Sequence, residues 1–338
     1  MKERQFQVEV QYFNRKLTEV IEQKMRGCSN KILYDALNYI MDTGGKRLRP
    51  IICLLSAEAV GGSRDKALSA AIAIELLHNA SLVHDDIIDE NSIRRKNPSN
   101  PARYGEKRAI VIGDFLFGLS CEMLARCEVP EVVGLISSAV SNVAMGQYLE
   151  FTLRMRNLQE VTEGSYLEVA ALKTASTFVA STEAGAMLGG GNEVEIENLC
   201  NYGKNLGIAF QIQDDILDIC GDPAKTGKPM GLDIKNGERT ILVIHALNHS
   251  RPSEKEYISG VLSKKRDISG SDIDKIREIF LHSGSINYAI RLSNDFIRRA
   301  KSCIEGLEDS GAKEKLKDIA DFAAERVEKQ VLADDLEK

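Results

Sequence analysis

Residues 67–89 read ALSAAIAIELLHNASLVHDDIID, and their pattern decides the fold class. Apolar side chains return at three- and four-residue spacing for more than twenty residues, with neither Gly nor Pro to interrupt them. A half-buried strand would alternate with period two, so a long core helix is predicted over Ala67 to Ile88. The helix runs into Asp85-Asp86-Ile87-Ile88-Asp89. Positions four apart on a helix are offset by only about 40°, which puts Asp85 and Asp89 on one face.

The same periodicity extends outward in both directions. It predicts helices over Val8 to Ile21, Ile32 to Met41 and Ile51 to Val60, with Arg49-Pro50 at a first turn and Gly61-Gly62-Ser63 as a stop and restart. Asn97-Pro98-Ser99-Asn100-Pro101 reads as a loop, and helical patterning resumes at Ala102. Further helices are expected over Glu131 to Leu158, Tyr166 to Leu188, Glu193 to Cys220 and Arg239 to Asn248, then in amphipathic pieces from Ile273 to Val331. Gly189-Gly190-Gly191 reads as a helix stop, no segment reads as a strand, and no internal repeat is visible. No Pro/Gly/Ser-rich linker divides the chain, so an all-α fold with one domain over residues 1–338 is expected.

Composition narrows the function. The 338 residues are 43% hydrophobic, ample for a large core, and carry 44 Lys plus Arg against 50 Asp plus Glu. A net charge of -6 argues against general nucleic-acid binding. Residues Met1 to Val10 are charged throughout, and no run reads as a membrane span, so no integral membrane segment and a cytoplasmic location are expected. The seven cysteines lack Cys-x-x-Cys pairing or zinc-finger spacing and read as reduced core residues. Any metal should be a hard one, held by oxygen.

The acidic arrangement occurs twice, the second time as Asp214-Asp215-Ile216-Leu217-Asp218, again at the end of an apolar helix. Three carboxylates beside the negative end of a helix dipole repel one another, and a cation relieves that repulsion. Mg²⁺, typically held by one or two carboxylates plus substrate phosphates, suits such donors. Basic groups accompany the acids: Lys46, Arg47 and Arg49 in a glycine-led turn, Arg94-Arg95 after the first motif, and Lys173-Thr174 between the two. His84, His245 and Asp114 read as structural, Asp114 at a helix start.

These segments together resemble the polyprenyl synthetase family, the trans-isoprenyl diphosphate synthases. The likeness runs through the turn at 45–50, Glu75-Leu76-Leu77-His78, His84-Asp85-Asp86-x-x-Asp89, Arg94-Arg95, Gly113-Asp114, Gly146-Gln147, Lys173-Thr174, Phe210-Gln211-Ile212-x-Asp214-Asp215-x-x-Asp218 and Gly227-Lys228-x-x-Gly231-x-Asp233. It implies a helical bundle of isoprenoid synthase type I around a central cavity, the acidic motifs facing across its mouth with about three Mg²⁺, and a homodimer. It further implies condensation of isopentenyl diphosphate with an allylic diphosphate to a linear polyprenyl diphosphate. By position, Asp85, Asp89 and Asp214 resemble principal metal ligands, with Asp86, Asp215 and Asp218 in support. Lys46, Arg49, His78 and Arg95 match the isopentenyl diphosphate site. Arg94, Lys173, Thr174, Gln211 and Lys228 match the allylic site, where Lys173, Thr174 and Gln211 would line the reacting cation.

Two departures stand out. Arg94-Arg95-Lys96-Asn97-Pro98 lacks the glycine usual after the first motif, and Gly237-Glu238-Arg239-Thr240 has an acid at the usual lysine, for which Arg239 or Lys235 is expected to compensate. A terpene cyclase would need no isopentenyl-site cations, and a regulatory subunit would tolerate degraded acidic motifs. The small Ala80 and Ser81, below the first motif, imply a long product of geranylgeranyl size or more.

Overall fold

The computed structural model describes residues 6–223, 229–264 and 267–330. Sixteen helices are followed here: α1 (Gln7–Met25), α2 (Lys31–Asp42), α3 (Leu48–Ala59), α4 (Arg64–Ile88), α5 (Asn100–Tyr104), α6 (Glu106–Leu124), α7 (Glu131–Met155), α8 (Glu163–Val169), α9 (Ser176–Gly189), α10 (Glu193–Cys220), α11 (Leu232–Asn236), α12 (Ile241–His249), α13 (Pro252–Ser263), α14 (Gly270–His282), α15 (Ser285–Cys303) and α16 (Gly311–Gln330). The all-α expectation therefore holds. Many starts carry side-chain caps: Asn30 accepts from Leu33 N at 3.1 Å, Ser63 from Asp65 N at 3.2 Å, and Thr162 forms a reciprocal capping box with Ser165.

Two compact units divide the chain: Met1–Ser138, Ala180–Cys200 and Ile304–Ile319 in the first, Ala139–Val179, Asn201–Cys303 and Ala320–Lys338 in the second. Most boundaries fall inside helices rather than in linkers.

In the first unit, α4 is the axial element. Its buried side chains include Ala67, Ala70, Ala71, Ala73, Ile74, Leu76, Asn79, Ala80 and Val83, and it packs on α3 and α6. Each fully buried large aliphatic contributes roughly 1.5–3 kcal/mol, while the alanines let backbones approach. Gly113 on α6 takes this further, since a Cβ there would lie 2.3 Å from His84 Nε2. Gly185 is similar: a Cβ would meet the Cys53 carbonyl at 2.1 Å.

In the second unit, α10 has a comparable role, with Leu206, Ala209, Ile212 and Ile216 buried. Gly207 on α10 would drive a Cβ to 2.5 Å from Ala175 Cα, and Ser293 of α15 donates to the Ala209 carbonyl at 3.4 Å.

Several local features differ from the sequence reading. Ile93–Arg94 and Asn97–Pro98 form a small antiparallel hairpin, with Arg94 opposite Asn97. Its two loop residues, Arg95 and Lys96, take φ of 53° and 67°. Lys96 thus occupies a left-handed position where a glycine would be unstrained, at a cost of about 1–2 kcal/mol. Two-residue strands carry no readable period, so the hairpin was not expected.

The helix expected over Tyr166 to Leu188 is broken by a π-helical segment at Ala170–Ala175, which includes Lys173 and Thr174. Asp114 is an exposed mid-helix residue, not a helix start, and His84 is 40% accessible with its ring 3.8 Å from Asp114. His245 is held as expected, accepting or donating at 2.9 Å with Ser285 Oγ. Gly190, at φ 83°, ends α9 as its sequence implied. By length and composition alone α4 and α7 are long and apolar enough to span a bilayer, which is weak evidence for a span; α4's apolar window is 61% buried and α7's 22%.

Candidate active site

In the first unit the glycine-led turn is built around a buried cation. Arg47, 4% exposed and left-handed at φ 50°, donates to Glu75 Oε1 at 2.5 Å, the Met41 carbonyl at 2.7 Å and Asn14 Oδ1 at 3.0 Å. Asn79 Nδ2 donates to the same Glu75 oxygen at 2.9 Å. Arg47 is thereby committed to the fold and fixes the turn that carries Lys46 and Arg49.

Around this turn the expected isopentenyl-site residues converge. Arg49 Nη1 lies 3.4 Å from His78 Nε2, and a Cβ at Gly45 would sit 2.9 Å from Arg95 Nη1. Only a residue without a Cβ lets that guanidinium lie against the turn. His78 is held neutral, well below its ordinary range, by burial and then by Arg49, Arg95, Arg94 and Arg47. Its dependence on four guanidinium groups places them all within electrostatic reach.

Of the first acidic motif, Asp85 and Asp89 are half-buried, and the Asp89 amide donates to the Asp85 carbonyl at 2.8 Å, so the helical turn that relates them is formed. Asp86 points elsewhere: 2% exposed, it accepts from Arg94 Nε at 2.8 Å on both oxygens and from Nη2 at 2.7 Å. Arg94, expected on the allylic diphosphate, and Asp86, expected in support of a metal, are thus joined to each other.

The second motif is arranged in the same way within its own unit. Asp214 is half-exposed and accepts from Arg326 Nη2 at 2.6 Å. Asp215 is buried and accepts from Tyr166 OH at 2.7 Å and Gln211 Nε2 at 2.9 Å. Thr174 Oγ1 in turn donates to Gln211 Oε1 at 2.5 Å. Burial, reinforced by Asp214 and Asp218, pushes the Asp215 carboxyl up to about 7 against these hydrogen bonds. Asp218 accepts from the Leu232 and Asp233 amides at 3.1 and 3.0 Å, closing the start of α11.

Lys173 Nζ donates to Glu150 Oε2 at 2.8 Å, and Gln147 Nε2 and Arg154 Nη2 reach that same oxygen at 3.0 and 3.3 Å. Gly146 permits the approach, since its Cβ would lie 2.5 Å from Lys173 N. Arg154 also pairs with Glu238. Arg239, by contrast, donates to the Gly237 and Arg154 carbonyls at 3.1 and 2.9 Å, and Lys235 is exposed. The cation that meets Glu238 is therefore Arg154, 84 positions upstream. Burial, then repulsion from Glu150, pushes the Glu238 carboxyl up to about 8, with Arg154 and Lys173 opposing.

Lys228 lies outside the described residues. Among the described residues, no three His, Cys, Asp or Glu side chains are gathered closely enough to form a metal cage by themselves. Sequence reasoning did not assign Tyr166, Glu150, Arg154 or Arg326 to the site, and none carries a local motif; each reaches it across a large sequence separation.

An all-helical fold with paired aspartate-rich helix ends and a guanidinium cluster defines the isoprenoid synthase class. The polyprenyl synthetase family profile matches residues 30–280, and this chain belongs to that family. It is 38% identical to the short chain isoprenyl diphosphate synthase of Methanothermobacter thermautotrophicus, over 94% of this chain and 99% of that protein. Among solved structures, geranylgeranyl pyrophosphate synthetase from Pyrococcus horikoshii superposes with a TM-score of 0.85 at 35% identity, covering 96% and 98% of the two chains. Polyprenyl synthase from Caulobacter crescentus, complexed with calcium and isoprenyl diphosphate, gives 0.89 at 29% identity, covering 96% and 98%.

The buried Glu238 makes stability pH-dependent. Its folded-state carboxyl keeps a proton that the unfolded chain releases above about 4.5, so stability falls as pH rises toward about 8. Glu238→Gln should flatten this slope: between pH 6 and 9 the wild-type melting temperature should fall more than the variant's, and equal falls would contradict the assignment.

Proposed function

We propose that the chain is a Mg²⁺-dependent trans-prenyltransferase that condenses isopentenyl diphosphate with an allylic diphosphate, releasing pyrophosphate and a linear polyprenyl diphosphate of geranylgeranyl or similar length. The observation that carries this reading is the convergence of Arg49, His78 and Arg95 on the Gly45 turn, beside an acidic motif, in a polyprenyl synthetase. A terpene cyclase, which handles one diphosphate, would have no use for that cluster.

The exposed donors are carboxylate oxygens, which fit a hard cation, and the Caulobacter relative was crystallised with a divalent cation and a diphosphate. Asp85, Asp89 and Asp214 would hold Mg²⁺, with Asp218 in support. When bound, the ion would neutralise charge on the departing pyrophosphate.

The chain's own groups do the rest. Lys46, Arg49 and Arg95 bind the isopentenyl diphosphate as fixed cations, and neutral His78 offers a hydrogen bond without adding to their mutual repulsion. Arg94 holds Asp86. Lys173, poised on Glu150, binds the allylic diphosphate together with Lys228 and stabilises charge as the allylic C–O bond breaks. Thr174 and Gln211, locked by the chain of hydrogen bonds to Asp215, present fixed dipoles to the allylic cation. No side-chain base is needed, since the departing pyrophosphate can take the final proton.

We further propose a homodimer. The outward face of α7 carries Val133, Gly134, Ser137, Ser138, Ser141, Ala144, Met145 and Tyr148, and that of α6 carries Ile110, Val111, Phe117 and Gly118. Small residues interspersed with large apolar ones suit close helix packing against a second copy better than lipid. Light scattering should give twice the 37.3 kDa chain mass, and a monomer at assay concentration would contradict it.

With Mg²⁺, labelled isopentenyl diphosphate and dimethylallyl, geranyl or farnesyl diphosphate, the purified protein should make allylic products. Asp85→Ala or Asp214→Ala should lower turnover by about a thousandfold or more with the helical signal intact. Near-normal turnover would remove these residues from the reaction. For product length, Ala80 is 4% exposed and serves helix packing, whereas Ser81 and Leu77 form the half-buried stripe in line with Asp85. Ser81→Phe should therefore shorten the main product while Ala80→Phe mainly destabilises by overpacking, by about 1–3 kcal/mol. Unchanged product from an active Ser81→Phe enzyme would overturn the stripe as the tail path.

A further inference from the structure

Arg326, on the last described helix, does not behave as a surface arginine. Its side chain is 13% exposed, and Val327 next to it is buried. The guanidinium carbon lies 4.4 Å over the Phe210 ring, and Nη2 donates to Asp214 Oδ1 at 2.6 Å. Phe210 and Asp214 are one helical turn apart on α10, so the guanidinium spans one turn of the helix that bears the second acidic motif. Its Nε and Nη1 atoms are withdrawn from water and meet no acceptor among the described residues.

Arg47, by comparison, places each of its three nitrogens on an acceptor. Arg326 is instead held by two things: the face of one aromatic ring and one carboxylate. That carboxylate is the one most exposed of the three in its motif. A cation bound at Asp214 would meet a fixed positive charge within a few ångströms, and the two would repel.

We propose that Arg326 is a latch, an internal counter-ion that competes with a divalent cation for Asp214 and so links metal arrival at the second acidic motif to release of the C-terminal end of α16. This rests on the reading of Asp214 as a metal ligand. Arg326 is a positioning residue: it steadies Asp214 while the metal is away and gives it up when the metal arrives. Once released, a guanidinium with two unpaired donor atoms is equipped to take a phosphate oxygen.

The test uses the full-length protein without substrate, in an Asp85→Asn/Asp89→Asn background that confines binding to the second motif. Mn²⁺ binding is followed by electron paramagnetic resonance, and amide hydrogen exchange over 320–330 is measured with and without Mn²⁺. Arg326→Gln should bind Mn²⁺ about tenfold or more tightly than its parent, because a fixed positive charge has been removed. Arg326→Lys should stay near the parent. In the parent, Mn²⁺ should raise exchange over 320–330, and adding Asp214→Asn should abolish that response. Equal or weaker Mn²⁺ binding by Arg326→Gln would overturn the latch and leave the metal assignment standing. No Mn²⁺ binding by the parent and Arg326→Gln alike, even after saturating inorganic pyrophosphate is added, would sink both.

Discussion

Six carboxylates sit in two triplets at the ends of two long apolar helices, where helix dipoles already place negative charge. Their mutual repulsion is the constraint on which the rest of the structure depends. The middle acid of each triplet is turned into protein and engaged there, Asp86 by a bidentate arginine and Asp215 by a phenol and an amide. Asp218 is spent on two backbone amides that start α11. Asp214 is met by a guanidinium that stands on an aromatic ring. Most of these solutions draw a remote segment onto the helix end, so the acidic motifs act as organising centres for the chain around them.

The cationic side follows the same economy. Arg47 and Arg49 differ by two positions and have opposite fates, one buried on Glu75 and the other beside His78. Burying Arg47 on three acceptors fixes the backbone of the turn, and fixed backbone is what lets neighbouring like charges stay close together. Burial, and after it that crowding of guanidinium groups, hold His78 well below its ordinary range.

How much was legible from sequence varied with the range of the interaction. The helices, the helical turn relating Asp85 and Asp89 and the stop at Gly190 follow from periodicity and local backbone chemistry, and they came out as read. The π segment at Ala170–Ala175 could not, because it is set by the close approach of Gly146 and Gly207 to the backbone there, not by its own residues. Arg94 was read as an allylic-site cation from the family resemblance; only the fold shows that it pairs with Asp86. The charge of the family's missing lysine was sought at Arg239 or Lys235, whereas the cation that pairs with Glu238 itself is Arg154, reaching it from α7. Sequence neighbours are poor guides to charge neutralisation when helices bring remote side chains within a few ångströms.

The central claim is that these carboxylates are largely engaged by the protein itself and bind a divalent cation strongly only together with a diphosphate. Calorimetric titration of the wild-type protein with Mg²⁺, with and without saturating inorganic pyrophosphate, tests this directly. Weak Mg²⁺ binding alone, tightening by about a hundredfold or more when pyrophosphate completes the coordination, is the predicted result. Equally tight binding of Mg²⁺ in the absence of pyrophosphate would contradict it.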